Sequence, residues 1–191
     1  MRGARSRLPL LLSLTVLVLV SLGSPVCRAS DITITAADSH ITNEILMLDA
    51  DADFKFSDDA IKAINSGVAI TIEFDLRISR PRKYLWDSEL LNAHRDFTIE
   101  RHALSQQYIL SDRATAERRL HGSLELAIDD LGRLRNLPIA EIRQLKGEKV
   151  VEMAMRLRLA IRSLPGPLIP VAYISPGWHM SSGWHRWQTR L

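Results

Sequence analysis

Along the chain, Val68, Ile70, Ile72, Phe74, Leu76 and Ile78 alternate with Ala69, Thr71, Glu73, Asp75, Arg77 and Ser79. Strand side chains point to opposite faces in turn, so this period of two predicts a long strand with one buried and one wet face. Val151, Met153, Met155, Leu157, Leu159 and Ile161 repeat the pattern against Glu152, Arg156, Arg158 and Arg162. These two runs should form the spine of the core, with the arginine face placed to pair across strands with Glu73 and Asp75. Shorter strands are expected at Ile32 to Thr35, Ile45 to Phe56, Arg95 to Arg101, Gln107 to Leu110 and Trp184 to Gln188. One-sided burial over seven strands points to antiparallel pairing.

Two stretches change to helical spacing. Ser57 suits an N-cap, Asp58 and Asp59 suit the positive end of the helix dipole, Ile61 and Ile64 form a face, and Gly67 stands where a left-handed C-cap belongs. A second helix is predicted from Ser123 through Leu124, Ala127, Ile128, Leu131 and Leu134, with Arg133 and Arg135 near its end and Pro138 closing the region. Pro165, Pro167, Pro170 and Pro176 make residues 163 to 177 an expected extended run along a sheet edge or over the surface. The pattern as a whole predicts a mainly β chain: an antiparallel β-sandwich, with an immunoglobulin-like arrangement as one form it can take, carrying two short helices. No repeat or linker divides residues 30 to 191, which read as a single domain.

Residues 1 to 29 have a different character. Arg2, Arg5 and Arg7 precede an apolar run from Leu8 to Leu22, broken at Gly23-Ser24-Pro25 and followed by small residues, which is the order of an export signal cut after Ala29. A spanning helix needs about 20 apolar residues, so cleavage and a periplasmic destination are expected. The alternative is an uncleaved segment anchored to the inner membrane. Val26 is bulky where lipid attachment at Cys27 would want a small residue.

This reading alters the charge argument. The chain has 25 Lys and Arg against 22 Asp and Glu; without Arg2, Arg5, Arg7 and Arg28 the balance is 21 against 22. The basic character belongs to the leader, so the usual inference to nucleic acid does not apply. Cys27 is the only cysteine, which excludes disulfides, thiol catalysis and Cys-based metal sites from the remainder.

The candidate chemistry is sparse. Asp49, Asp51 and Asp53 share one strand face and open like a calcium loop, but Phe54 and Ala60 stand where that loop needs Gly and Glu, so a solvated face is expected. None of His40, His94, His102, His121, His179 and His185 forms an i, i+4 pair. His179, Met180 and His185 offer soft ligands for copper, although the neighbouring Trp178, Trp184 and Trp187 suggest an aromatic packing cluster instead. There is no Gly-x-Ser-x-Gly elbow and no phosphate-cradling glycine loop. No catalytic, cofactor-binding or metal residues are therefore assigned. The stretch from Arg77 to Trp86 stands out: Arg77, Arg80, Arg82 and Lys83, followed by Tyr84 and Trp86, join anion attraction to aromatic anchoring at a strand end. These six residues are the candidate partner- or anion-binding surface, against the simpler reading of arginine stems lying over the core rim.

Ala52-Asp53-Phe54-x-Phe56, Gly67, Arg80-x-Arg82-x-Tyr84-x-Trp86-Asp87, Leu157-Arg158-Leu159, Leu164-Pro165-x-Pro167 and Trp178-x-x-Ser181-Ser182-x-Trp184-x-x-Trp187 resemble the bacterial domain-of-unknown-function 4390 family. The resemblance implies an exported proteobacterial protein and an envelope role beside a membrane sensor histidine kinase. It carries no catalytic residues with it. The functional expectation is a non-enzymatic periplasmic binding or accessory module for that kinase or another envelope component, with no cofactor, no nucleic acid and at most peripheral membrane contact. The alternatives are an envelope hydrolase or metal-dependent enzyme, signalled by a histidine gathered with acids, and a purely structural envelope protein.

Overall fold

The computed structural model describes residues 31–80, 88–145 and 147–191. Among these residues nine strands form two antiparallel sheets. β1 (Asp31–Thr42), β2 (Ile45–Lys55) and β7 (Arg133–Glu141) make a small sheet in the order β1-β2-β7. β3 (Ile70–Arg80), β4 (Ser88–Arg101), β5 (Tyr108–Asp112), β6 (Arg118–His121), β8 (Val150–Leu159) and β9 (His185–Arg190) make a large one, ordered β6-β5-β4-β3-β8-β9. The two-sheet antiparallel architecture expected from the alternation is present.

The two strongest alternating runs lie at its centre. β3 pairs with β8 so that Phe74 faces Leu157 and Leu76 faces Met155. Ile70, Ile72, Phe74, Leu76 and Ile78 are buried, as are Val151, Met153, Met155, Leu157 and Leu159. They join Ile32, Leu46, Leu48 and Ala50 of the small sheet in one apolar cluster. Phe97 of β4 meets Phe74 edge-on, with ring centroids 4.8 Å apart. Each fully buried aliphatic side chain contributes about 1.5–3 kcal/mol, so this interior holds the sheets together without disulfides.

α1 (Asp58–Asn65) is capped as predicted: Ser57 Oγ accepts from Ala60 N at 3.2 Å, and Gly67 adopts φ +83° just beyond the helix. α2 (Leu124–Leu131) begins with Ser123 Oγ accepting from Leu126 N, but it is shorter than expected. The sequence reading carried this helix through Leu134; instead Gly132 ends it and residues 133–141 become β7. The cause is tertiary: Ala52 N donates to Gly132 O at 2.8 Å and β2 takes up the following residues as a pairing partner. Pro138 lies within β7, at the edge of the small sheet, where its missing N–H breaks no central ladder.

The proline-rich stretch is also corrected. Residues 163 to 177 are largely helical rather than extended, with 3-10 turns at Gly166–Leu168 and Pro176–Trp178 around α3 (Ile169–Ile174). Pro167, Pro170 and Pro176 occupy first-turn positions, where the fixed φ suits a helix and no N–H is required. Among the described residues there are thus three short α-helices where two were expected. β6 was not foreseen, and β1 runs to Thr42 because its polar second half pairs with β2 through the Asn43-Glu44 turn. No helix among the described residues is long and apolar enough to cross a membrane.

Candidate functional site on the outer face of the large sheet

With the even positions of β3 turned inward, Glu73, Asp75 and Arg77 face out. Strand register then fixes their neighbours: Asp75 lies between His94 of β4 and Arg156 of β8, and Glu73 between Asp96 and Arg158. The cross-strand pairing expected from the sequence is therefore realised. Arg156 donates to Asp75 Oδ2 at 2.7 Å, and Arg158 Nε lies 2.6 Å from Glu73 Oε2 and 3.4 Å from Asp75 Oδ2. Arg162 is not part of it and reaches Tyr173 Oη at 3.4 Å instead.

His94 sits between two carboxylates, with Nδ1 2.9 Å from Asp75 Oδ1 and Nε2 2.8 Å from Asp96 Oδ1. Burial works against its positive charge, but the hydrogen bond it donates to Asp75 and the charges of Asp96, Asp75 and Glu73 prevail and raise its pKa above the ordinary value. For Asp75, burial pushes the carboxyl up, and the bonds to Arg156 and His94 with the charge of Arg158 pull it below the ordinary value. The group is a charge-balanced lattice that favours the ionised form of both members.

At the other end of the lattice two guanidinium groups lie against one indole. Arg77 Cζ is 4.3 Å and Arg156 Cζ 4.6 Å from the Trp184 ring centroid. The approach of Trp184 is set locally. Ser181 bridges to Arg158, Ser182 N donates to Leu157 O, Leu157 N donates to Ser182 Oγ, and Gly183 turns at φ +67° immediately before β9. Ala154, facing out between β3 and β9 in the register, is small and buried, which suits an indole lying over the sheet. Cation–π contacts of this kind are worth about 0.5–2 kcal/mol each. Arg77 is exposed and has no acidic partner among the described residues.

Of the predicted surface, Arg77 and Arg80 are described, and only Arg77 is available. Arg80 is ion-paired with Glu148, so its charge is already spent. Arg82, Lys83, Tyr84 and Trp86 lie outside the described residues. The aromatic partner of Arg77 comes from the C-terminal segment, and neither Trp184 nor Arg156 was assigned to the surface from the sequence. The only signal was the even-odd phase of β8, which placed Arg156 outward beside β3.

The other candidates disperse. Asp49 accepts from Asn136 N at 2.7 Å and Asp51 pairs with Arg135 at 2.5 Å, which ties both to β7, while Asp53 is exposed. The three tryptophans do not cluster: Trp178 is buried in the core, Trp184 is on the outer face, and Trp187 donates to Ser39 Oγ. Met180 is buried while His179 is exposed, which separates the supposed copper ligands. Glu73, His94 and Asp96 bring three donor atoms within 4.8 Å of one another, a set able to hold a divalent cation, although Arg158 and Arg113 already neutralise the two carboxylates.

The fold and this face together define a two-sheet antiparallel β architecture with an arginine-tryptophan surface. The chain belongs to the family described as domain of unknown function (DUF4390), whose model matches residues 29–188. No curated protein and no solved structure matches it.

Proposed function

We propose that this protein is an exported, non-enzymatic binding module that captures an anionic surface on an envelope partner, such as a membrane sensor kinase. The observation that carries this reading is the Arg77-Trp184-Arg156 stack. Arg77 is a cation left without an acid among the described residues, held in place by an indole that offers its own flat apolar surface. Arginine and tryptophan are the residue types that dominate binding energy in interfaces. Export is supported by the leader-like residues 1 to 29 and by the cysteine-free remainder.

In-cell crosslinking from a photoreactive residue at position 92, beside Arg77 in the register, tests the proposal. A discrete partner should be captured by the natural chain, with capture reduced about tenfold or more in Arg77→Glu and Trp184→Ala. Unchanged capture by both folded variants would overturn it.

The enzymatic alternative has one observation in its favour, the gathering of His94 with three acids. Both imidazole nitrogens face carboxylates rather than a hydroxyl or thiol, and Arg158 and Arg113 already pair with Glu73 and Asp96. Loss of a hydrolytic activity on His94→Gln would revive that reading.

A further inference from the structure

The ends of β2, β4 and β5 meet α1 and the start of α2 around a cleft of about 710 Å³ that shares no lining residue with the Trp184 face. Ligand pockets commonly span about 300–1,000 Å³ and combine an apolar wall with a few fixed polar groups. Here the wall is made by Phe54, Phe56, Ile61 and Ile128, with the Phe54 and Phe56 rings stacked at 14° and 6.0 Å. Its polar lining includes Arg101, Lys55, Asn65 and Tyr108, with Gln106, Ser123 and Glu125 beside them.

The polar groups are organised in advance. Tyr108 Oη donates to Asn65 Oδ1 at 2.6 Å, Arg101 donates to Asn65 O at 3.3 Å, and the Arg101 guanidinium lies 5.9 Å from the Tyr108 ring centroid. Arg101 Nε is shut off from solvent and has no hydrogen-bond partner. Neither Arg101 nor Lys55 has an acidic partner among the described residues, whereas Arg118 of β6 and Arg80 of β3 are paired with Glu100 and Glu148. A buried donor without a partner is costly, and two unpaired cations in one cleft leave a local positive field. Glu125 is the one acid lining it, and its carboxyl is held below the ordinary value by its own backbone N–H and by Ser123, at the N-terminus of α2.

We infer that this cleft binds a small organic anion, with its carboxylate or phosphate head on Arg101 and Lys55 and its apolar body against Phe54, Phe56 and Ile61. The guanidinium accepts either head through charge-assisted hydrogen bonds, and the stacked phenyl groups select an aromatic or alkyl body over a bare inorganic anion. The site is separate from the Arg77-Trp184 face and does not depend on the partner proposed for it.

The test is an amide-shift titration of the protein, as the cell produces it, with hydrocinnamate, phenyl phosphate and the neutral hydrocinnamamide. Saturable shifts are expected at Asn65, Arg101, Tyr108 and Phe56 with at least one anion, and the preferred anion identifies the head group. The neutral amide should bind about tenfold or more weakly, and Arg101→Gln should weaken the anion by about tenfold or more. Lys55→Gln, at an exposed position, provides the same comparison should Arg101→Gln fail to fold, and Trp184→Ala should bind as the natural chain does. Absence of saturable shifts with either anion, equal binding of amide and acid, or unchanged affinity in the folded Arg101 and Lys55 variants overturns the inference.

Discussion

Replacing Gly132 by alanine sets propensity against packing. Gly132 closes α2 at φ −74° and ψ −12°, a right-handed conformation that alanine adopts freely, so helix propensity alone predicts a gain of up to about 1 kcal/mol. Packing predicts the reverse. A Cβ at position 132 would lie 2.3 Å from the carbonyl oxygen of Ala52 and 3.4 Å from its carbonyl carbon. The obstacle is backbone, and Ala52 is held by pairing with Ile34 of β1, so it has no side-chain rotamer by which to yield. The same junction carries the 2.8 Å bond from Ala52 N to Gly132 O. Overpacking costs about 1–3 kcal/mol and a lost backbone hydrogen bond about 0.5–1.5 kcal/mol. Net of a propensity gain of about 1 kcal/mol, Gly132→Ala should destabilise by about 0.5–3.5 kcal/mol. At about 2–4 °C per kcal/mol for a domain of this size, the midpoint should fall by about 1–14 °C. Urea unfolding with circular dichroism measures the effect, and Gly166→Ala, where an added Cβ meets nothing within 4 Å, is the control. A Gly132→Ala protein as stable as the natural one would refute the close approach between β2 and the end of α2.

Met153→Ala, at a fully buried position of β8, should cost about 2–5 kcal/mol by denaturant titration. Ser57→Ala removes the cap of α1 and should cost about 1 kcal/mol in the same assay. The His94 imidazole, with its pKa raised above 6.5, contributes stability that is full below that value and fades as pH rises through the folded-state pKa. His94→Gln should flatten the pH dependence across this window, and an unaltered profile in the variant would count against the Asp75-His94-Asp96 arrangement. Asp75, with its pKa lowered below 3.8, has the opposite sign: its contribution is present above 3.8 and is lost as pH falls, so Asp75→Asn should blunt the acid limb of unfolding.

The legibility of the chain follows the range of the interactions. The caps of α1 and α2 could be read because Ser57 and Ser123 bond to N–H groups three residues away. The alternation of β3 and β8 could be read because burial on one side imposes a period of two on each strand independently. A pairing of the Arg156, Arg158 and Arg162 face with Glu73 and Asp75 is expected from the alternation and the charges; the register sets Arg158 against Glu73 and Arg156 against Asp75, while Arg162 reaches Tyr173 instead. β7 was misread as helix because Leu131 and Leu134 keep helical spacing, while the contact that ends the helix, Gly132 against Ala52, is 80 positions away in sequence and leaves no local mark. The prolines of residues 163 to 177 misled because Pro is as suited to the first turn of a helix as to an extended chain.

The sequence by itself determined the two central strands, their inward and outward faces, the helix starts, and a candidate cation in Arg77. Tertiary structure decided what those residues meet: Trp184 arrives over Arg77 from beyond a turn at Gly183, and Arg101 gathers with Tyr108 and Asn65 from three separate elements. Periodicity records which face of an element is buried, since burial acts on each element alone. It does not record which element lies next to that face, because neighbours are chosen by the packing of the whole chain.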